Sequence, residues 1–235
     1  MSYAGIDLSA RRGFDVAVLD EHRRVQDVSK VPSLDDLVGL LAGFGGALSV
    51  AIDAPQAHRL HALQDAARRA ALGVAPGSYQ RYRLCDYELA RRGMPLYLLP
   101  VAGAATPAWM DVGFAAFDRL WRDLGLVFPA HSSDVSAGLL EVYPFASFVT
   151  LLGGRPPRKM TAAGRAARLR ALELAGVSGV PGDAVTHDTL DAIAAAYTAW
   201  TWHHGQGSAV GDPAEGLIVL PITMDQLKER YPALG

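Results

Sequence analysis

Five acidic residues stand where an α/β chain does its chemistry. Asp7 closes the apolar run Tyr3–Leu8, Asp53 closes Ala47–Ile52, and Glu141 lies near the end of Ala137–Tyr143. Asp188 and Asp191 open an apolar, Ala-rich segment at a spacing that projects both from the first turn of one helix. Carboxylates gathered within a few ångströms repel one another, raise each other's pKa values and destabilise a fold. Hard cations make the gathering tolerable, and Mg²⁺ prefers oxygen ligands: a few carboxylates, waters and substrate phosphate. Two such ions about 4 Å apart activate a water and stabilise the leaving oxygen of a phosphodiester. Metal-assisted phosphoryl chemistry with Mg²⁺ or Mn²⁺ is the chemistry this constellation suits.

For those acids to meet, their elements must be neighbours. Tyr3–Leu8, Phe14–Leu19 and Arg24–Val28 read as a three-stranded antiparallel meander, turning at Ala10–Gly13 and Asp20–His22. Ser33 caps a helix from Leu34, with Asp35 and Asp36 in its first turn and Leu37, Leu40, Leu41 and Phe44 as its apolar stripe. Ala47–Asp53 is apolar and β-branched near its end, as a strand buried on both faces should be, and Ala54-Pro55 stops it. This order favours a mixed sheet with that strand parallel to the first. Asp7 and Asp53 then converge at the carboxyl ends of adjacent strands, where ligand sites in open α/β sheets lie.

From Gln56 to about Val135 the pattern turns to helices at His58–Leu72, Arg81–Arg92 and Thr106–Leu124, with a turn at Ala75–Ser78. A strand follows at Ala137–Tyr143 and stops at Pro144. An Arg/Ala/Leu helix comes after Thr161, a long final helix at His187–Trp202 after Pro181-Gly182-Asp183, and an edge strand at Gly216–Pro221. The expectation is one α/β domain over residues 1–235. Its mixed five-stranded sheet is flanked by helices, with a mainly helical insertion at about 56–135 after the fourth strand.

Composition narrows the partners. In 235 residues, 50% are hydrophobic and 20% charged, enough to bury a full core and far from disorder. A formal net charge of −2 disfavours a protein that holds duplex mainly by neutralising phosphate. Cys85 is the single cysteine, which excludes an intrachain disulfide and a thiolate zinc site. The first residues carry no positive start and no apolar signal core, and no apolar stretch is long enough for a bilayer. A cytoplasmic protein without a membrane partner is expected.

The segments Gly5-Ile6-Asp7-Leu8, Ile52-Asp53-Ala54-Pro55, Glu141-Val142-Tyr143-Pro144 and His187-Asp188-Thr189-Leu190-Asp191-Ala192, in that order, resemble one family. It is the uncharacterised family of predicted RNase H-like nucleases known as domain of unknown function 429. The likeness takes in Arg83-Leu84-Cys85-Asp86 and Gly211-Asp212-Pro213-Ala214-Glu215-Gly216 as well. More distantly, the pattern of strand acids resembles the Holliday-junction resolvases. The resemblance implies an RNase H-like sheet and a metal site at Asp7, Asp53, Asp188 and Asp191. Asp53 stands where the resolvases typically use Glu, and the insertion after Gln56 has no counterpart in those small nucleases.

The leading expectation is a metal-dependent phosphodiesterase acting on DNA or RNA, with Asp7, Asp53 and Asp191 holding the metal and Asp188 or Glu141 completing the set. Asp188 also suits a helix N-cap, and Glu141 an ion pair with Arg158 or Lys159. Arg83 and Asp86 are placed to face substrate from the insertion, Lys159 lies in an Arg-rich stretch suited to phosphate, and His187 has the titration range of a proton shuttle. Solvated helix faces are the competing account of the basic stretches. His58/His61 and His203/His204 lack zinc-like partners. Trp109, Trp121, Trp200 and Trp202 can stack bases or pack a homodimer, although core packing is their default. A non-catalytic ligand- or protein-binding module competes with the nuclease. Phosphotransfer is disfavoured, because the chain has room for one such domain and carries no phosphate loop.

Overall fold

The computed structural model describes residues 1–9, 11–45, 47–60, 62–74, 77, 81–136, 138–182 and 185–233. Ala10, His61, Ala75, Pro76, Ser78, Ala137 and Asp183, which figure in the expectations above, lie outside the described residues. The expected meander is present: β1 (Ser2–Ser9), β2 (Gly13–Leu19) and β3 (Val25–Val31) pair antiparallel. Asp20 shapes the second turn by accepting from the backbone N–H groups of His22 and Arg24. Ser33 caps α1 (Leu34–Ala42), accepting from the backbone N–H of Asp36 at 3.1 Å. The chain then returns as β4 (Leu48–Asp53), parallel to β1 with Asp7 opposite Asp53.

The sheet has seven strands in the order β3-β2-β1-β4-β5-β7-β6, not five. β5 (Leu139–Val142) runs parallel to β4, and β7 (Gly216–Leu220) parallel to β5. The additional strand β6 (Ser208–Asp212) folds back antiparallel on β7, so Gly216–Leu220 is an interior strand and not the expected edge. β6 is hard to see in sequence because Ser208, Gly211 and Asp212 are turn-forming types inside a short strand.

The helices depart from expectation at their ends. Within His58–Leu72 the described residues hold a 3₁₀ turn at Ala62–Gln64 and α2 (Ala66–Ala71), because Asp65 caps a new helix start, its carboxylate accepting from the Arg68 backbone N–H. α3 (Leu84–Ala90) is shorter than Arg81–Arg92, and α4 (Ala108–Leu124) matches its expected span closely. Pro144 does stop a strand, but it also opens α5 (Pro144–Leu152), since a proline at the first helical position loses no hydrogen bond. α6 (Ala162–Leu174) is capped by Thr161, α7 (His187–His203) by Thr186 and α8 (Met224–Arg230) by Thr223. Asp188 is therefore not the cap that its position invited.

Side-chain alternation sorts the core into two layers. Ala51, Leu140 and Val142 face α7, with α5 and α6 outside it. Ile6, Val50, Ile52 and Leu139 face the other way, onto α1 and α4. α7 is buried from Asp188 to Trp202, Trp200 and Trp202 included, so it is a central helix with apolar contacts on every side. Among the described residues no helix is long and apolar enough to cross a membrane.

Two glycines set the distances on which the site depends. A Cβ on Gly5 would lie 2.0 Å from the Ala192 carbonyl oxygen and 2.2 Å from the Ala196 nitrogen, so α7 rests directly on the β1 backbone. On the opposite layer, a Cβ on Gly113 would lie 2.7 Å from the Ala54 Cβ, so α4 closes onto the residue after Asp53. Gly5→Ala must push a helix backbone away and should destabilise the protein by about 1–3 kcal/mol or more. Gly39→Ala, on α1 with open space around it, should be neutral or stabilising by up to about 1 kcal/mol. Urea midpoints of the two variants check this, and an unperturbed Gly5→Ala protein would contradict the close approach.

Candidate functional site

The register decides which acids meet. Asp7 and Asp53 are direct partners across parallel strands, so both side chains leave the same face, the one covered by α7. Gly5, two residues before Asp7 and on that same face, admits α7, whose first turns bring Asp191 down onto the pair. The result is a cluster in which one carboxylate oxygen each from Asp7, Asp53 and Asp191 lie within 4.8 Å of one another. Asp191 is buried, while Asp7 and Asp53 keep partial exposure.

The other expected acids, Glu141 and Asp188, adjoin the same cavity or cluster but are held by different partners. Glu141 pairs across from Ile52, one residue out of step with Asp53, and therefore leaves the opposite face of the sheet. There it meets Arg83, whose guanidinium donates to both Glu141 oxygens, at 2.9 and 2.7 Å, and to both Asp86 oxygens, at 3.1 and 2.9 Å. With Arg83 at 1% and Asp86 at 0% exposure, this triad is an internal clamp between α3 and β5. Glu141 pairs with Arg83, not with Arg158 or Lys159. Glu215 extends the clamp by accepting from the backbone N–H groups of Ala62 and Leu84.

Asp188 lies beside the cluster of three, accepting a hydrogen bond from Asp7, but its charge is met by other groups. Arg12 donates to its Oδ2 at 2.7 Å, and the His187 Nδ1 lies 2.6 Å from its Oδ1 without hydrogen-bond geometry. Arg12 escaped sequence reasoning although a signal existed: it follows β1 directly and so must emerge at the same strand ends as Asp7. Lys159, between α5 and α6, donates to Asp191 Oδ2 at 2.8 Å. The buried Arg168 of α6, also not anticipated, brings its Nε to 4.0 Å from Asp191 Oδ1.

Electrostatics separates these groups. Burial pushes Asp7 up to about 9, reinforced by the charges of Asp53 and Asp191. Asp53 is pushed up to about 7, again by burial first and then by Asp191. Neither residue has an ion-pair partner among the described residues, and Lys159 acts on both only at a distance. Asp191 is raised by burial against the opposing pull of Lys159 and Arg168. Burial also works to raise Asp188, but the Arg12 hydrogen bond and the neighbouring His187 hold it below the ordinary value. Burial disfavours the Lys159 charge, yet Asp191 keeps that pKa above the usual lysine value.

The donor set fits a hard divalent cation. It is all oxygen, it comes from three separate elements, and two of its members lack the countercharge that every neighbouring acid has. The cluster opens into a cavity of about 620 Å³. Its walls are largely aromatic and apolar, including Tyr97, Trp109, Tyr143 and Phe145, with Arg155, Arg158 and Lys159 along one side.

Two outcomes follow from this charge arrangement. In metal-free solution the folded protein holds protons on Asp7 and Asp53 that the unfolded chain has released, so stability should fall as pH rises from 3.8 towards 9. Thermal midpoints recorded in EDTA should show that slope, Asp7→Asn should flatten it, and Mg²⁺ or Mn²⁺ should raise the midpoint more at about pH 8 than at about pH 5.5. An Asp7→Asn slope identical to wild type would refute the clustering. Arg83→Met strands two buried carboxylates and should cost about 3–5 kcal/mol in urea unfolding. An unchanged midpoint would refute the clamp.

No curated protein and no solved structure matches the chain. The family described as "Protein of unknown function (DUF429)" matches residues 5–215, a span that takes in Asp7, Asp53 and Asp191 together with the Arg83 clamp and Glu215. The chain belongs to that family.

Proposed function

We propose that this protein is a metal-dependent nuclease, hydrolysing phosphodiester bonds on an RNase H-like fold. The observation that carries the reading is the meeting of Asp7, Asp53 and Asp191 from β1, β4 and α7 at one side of a cavity. Mg²⁺ or Mn²⁺ held by these three carboxylates would supply Lewis acidity to a phosphoryl oxygen and lower the pKa of a water.

The remaining steps fall to the chain's own side chains. Asp7 and Asp53, held close by the strand register, supply negative charge that only a proton or a cation relieves. Lys159, half exposed and tied to Asp191, can turn its ammonium to an incoming phosphate. Arg12 keeps Asp188 ionised beside His187, which leaves that imidazole next to a fixed negative charge. Burial of Asp191 and the apolar walls keep bulk water from competing with the substrate.

A second reading rests on one contact. Because the Lys159 ammonium already compensates Asp191, the cavity can serve as a metal-free ligand site without catalysis. Labelled single-stranded, duplex and branched DNA and RNA, incubated with Mn²⁺, Mg²⁺ or EDTA, separate the two. Metal-dependent cutting that is lost in a folded Asp7→Asn/Asp191→Asn protein is the expected result. Absence of cutting, with no metal-induced rise in thermal midpoint over that variant, would reject the nuclease and favour the ligand site. A rise without cutting would redirect the search to other phosphate substrates.

A further inference from the structure

The cavity walls say more about the substrate than the carboxylates do. Tyr97 is 72% exposed and meets Trp109 edge to face, with ring centroids 5.8 Å apart. Across the cavity Tyr143 and Phe145 form a second aromatic pair at 5.6 Å, and the Arg155 guanidinium lies over the Phe145 ring at 5.6 Å. Exposed aromatic faces beside a polar floor are suited to planar, amphipathic ligands. Arg155 and Arg158 are exposed, and neither has an acidic partner among the described residues. Arg155 over the Phe145 ring keeps N–H groups free to donate, and exposed Arg158 likewise can meet phosphate.

We infer that the substrate is a single-stranded nucleic acid segment, its unpaired base seated against the aromatic walls and its phosphates on Arg155 and Arg158. This assignment rests on the nuclease reading for the placement of the scissile phosphate at Asp7, Asp53 and Asp191. A base in duplex has both faces covered by its neighbours, so only an unstacked base can reach a concave aromatic wall. The volume, about 620 Å³, is that of a site for a small ligand and admits a nucleotide or two, not a helix. The near-neutral chain, at a net charge of −2, likewise lacks the broad basic surface that grips duplex. Stacking explains how the protein can hold a strand with few cations, because each base brings its own apolar contact.

The test is binding, read apart from cleavage. In the Asp7→Asn/Asp53→Asn protein, confirmed as folded by circular dichroism and lacking two of the three carboxylates, fluorescence anisotropy compares a labelled single-stranded oligonucleotide, as DNA and as RNA, with a duplex of the same sequence. Either single strand should bind at least about tenfold more tightly than duplex. Trp109→Ala and Tyr97→Ala should each weaken the single strand by about tenfold, and Arg158→Ala should weaken it and reduce its salt dependence. Tyr97 is so exposed that its replacement does not threaten folding, which circular dichroism would verify. Equal affinity for duplex and single strand, no binding of either, or a single-strand affinity indifferent to both aromatic variants would overturn the inference. Wild type that shows the single-strand preference yet cuts nothing with Mn²⁺ would refute the nuclease reading and leave this one. Wild type that cuts duplex and single strand alike would do the reverse.

Discussion

Everything at the carboxylate cluster depends on how closely α7 lies against β1. A helix on a sheet ordinarily keeps a side chain's thickness between the backbones. Here Gly5 removes it, and Ala192, Ala195 and Ala196 present nothing bulkier from the helix side. The contact is made two residues before Asp7 and one residue after Asp191, so the packing that fixes the helix also fixes the distance between the acids. The strands do the rest, because parallel register puts Asp53 beside Asp7 without any choice of rotamer. A cluster built this way is preorganised by backbone packing, and its members cannot separate to relieve their repulsion.

The acids and the strands carrying them could be read from sequence because each signal is local. An apolar run that ends in Asp before a turn shows in a few residues, and the meander, α1 and the β1–β4 pair all follow from such runs. What could not be read were relations between elements. Glu141 resembles Asp7 and Asp53 in every local respect, at the end of a buried strand. Only the register with Ile52 sends it to the other face. Arg83, expected to face substrate, does line the cavity, but nothing within Arg83-Leu84-Cys85-Asp86 shows that its guanidinium and Asp86 also close on a glutamate 58 residues from Arg83. Asp188 failed as a cap for a subtler reason: Thr186 competes for the same role, and the orientation of the first turn decided between them. Of the aromatic walls only Trp109 stands out in sequence as able to stack a base; Tyr97, Tyr143 and Phe145 come from other segments, with core packing as their ordinary fate.

The two faces of the sheet handle negative charge in opposite ways. On the α3 side, Arg83 satisfies Glu141 and Asp86 together, with short hydrogen bonds to all four oxygens, and burial is complete. Such an arrangement holds the insertion to β5 and satisfies its own charges, while Arg83 and Glu141 also line the cavity. On the α7 side, Asp188 has Arg12 and Asp191 has Lys159, but both cations are substantially exposed, with side-chain exposures of 54% and 43%, and each offers a single contact. These pairs can open. Asp7 and Asp53 have no ion-pair partner among the described residues; Asp7 hydrogen-bonds to Asp53 and Asp188 instead, and burial drives both Asp7 and Asp53 towards the protonated form.

That contrast argues about purpose as well as chemistry. A fold that can bury an arginine against two carboxylates had the means to neutralise Asp7 and Asp53 in the same way, or to replace them with the apolar residues that fill the rest of β1 and β4. Keeping two adjacent acids uncompensated, at the carboxyl ends of neighbouring parallel strands and open to a cavity, costs stability in the absence of a cation. Among the described residues no cation bonds to either acid: Lys159 donates to Asp191, Arg168 to Pro157 and Gly164, and Arg12 to Asp188, and Lys159 eases the pair only through space. Without a cation the relief is a proton, which Asp7, pushed up to about 9, and Asp53, pushed up to about 7, retain far above the ordinary carboxylate range, and a metal ion held by the three carboxylates would take the proton's place. A site whose charge is completed from outside is one that responds to what is bound there, and this distinguishes the Asp7–Asp53 pair from every other acid around it.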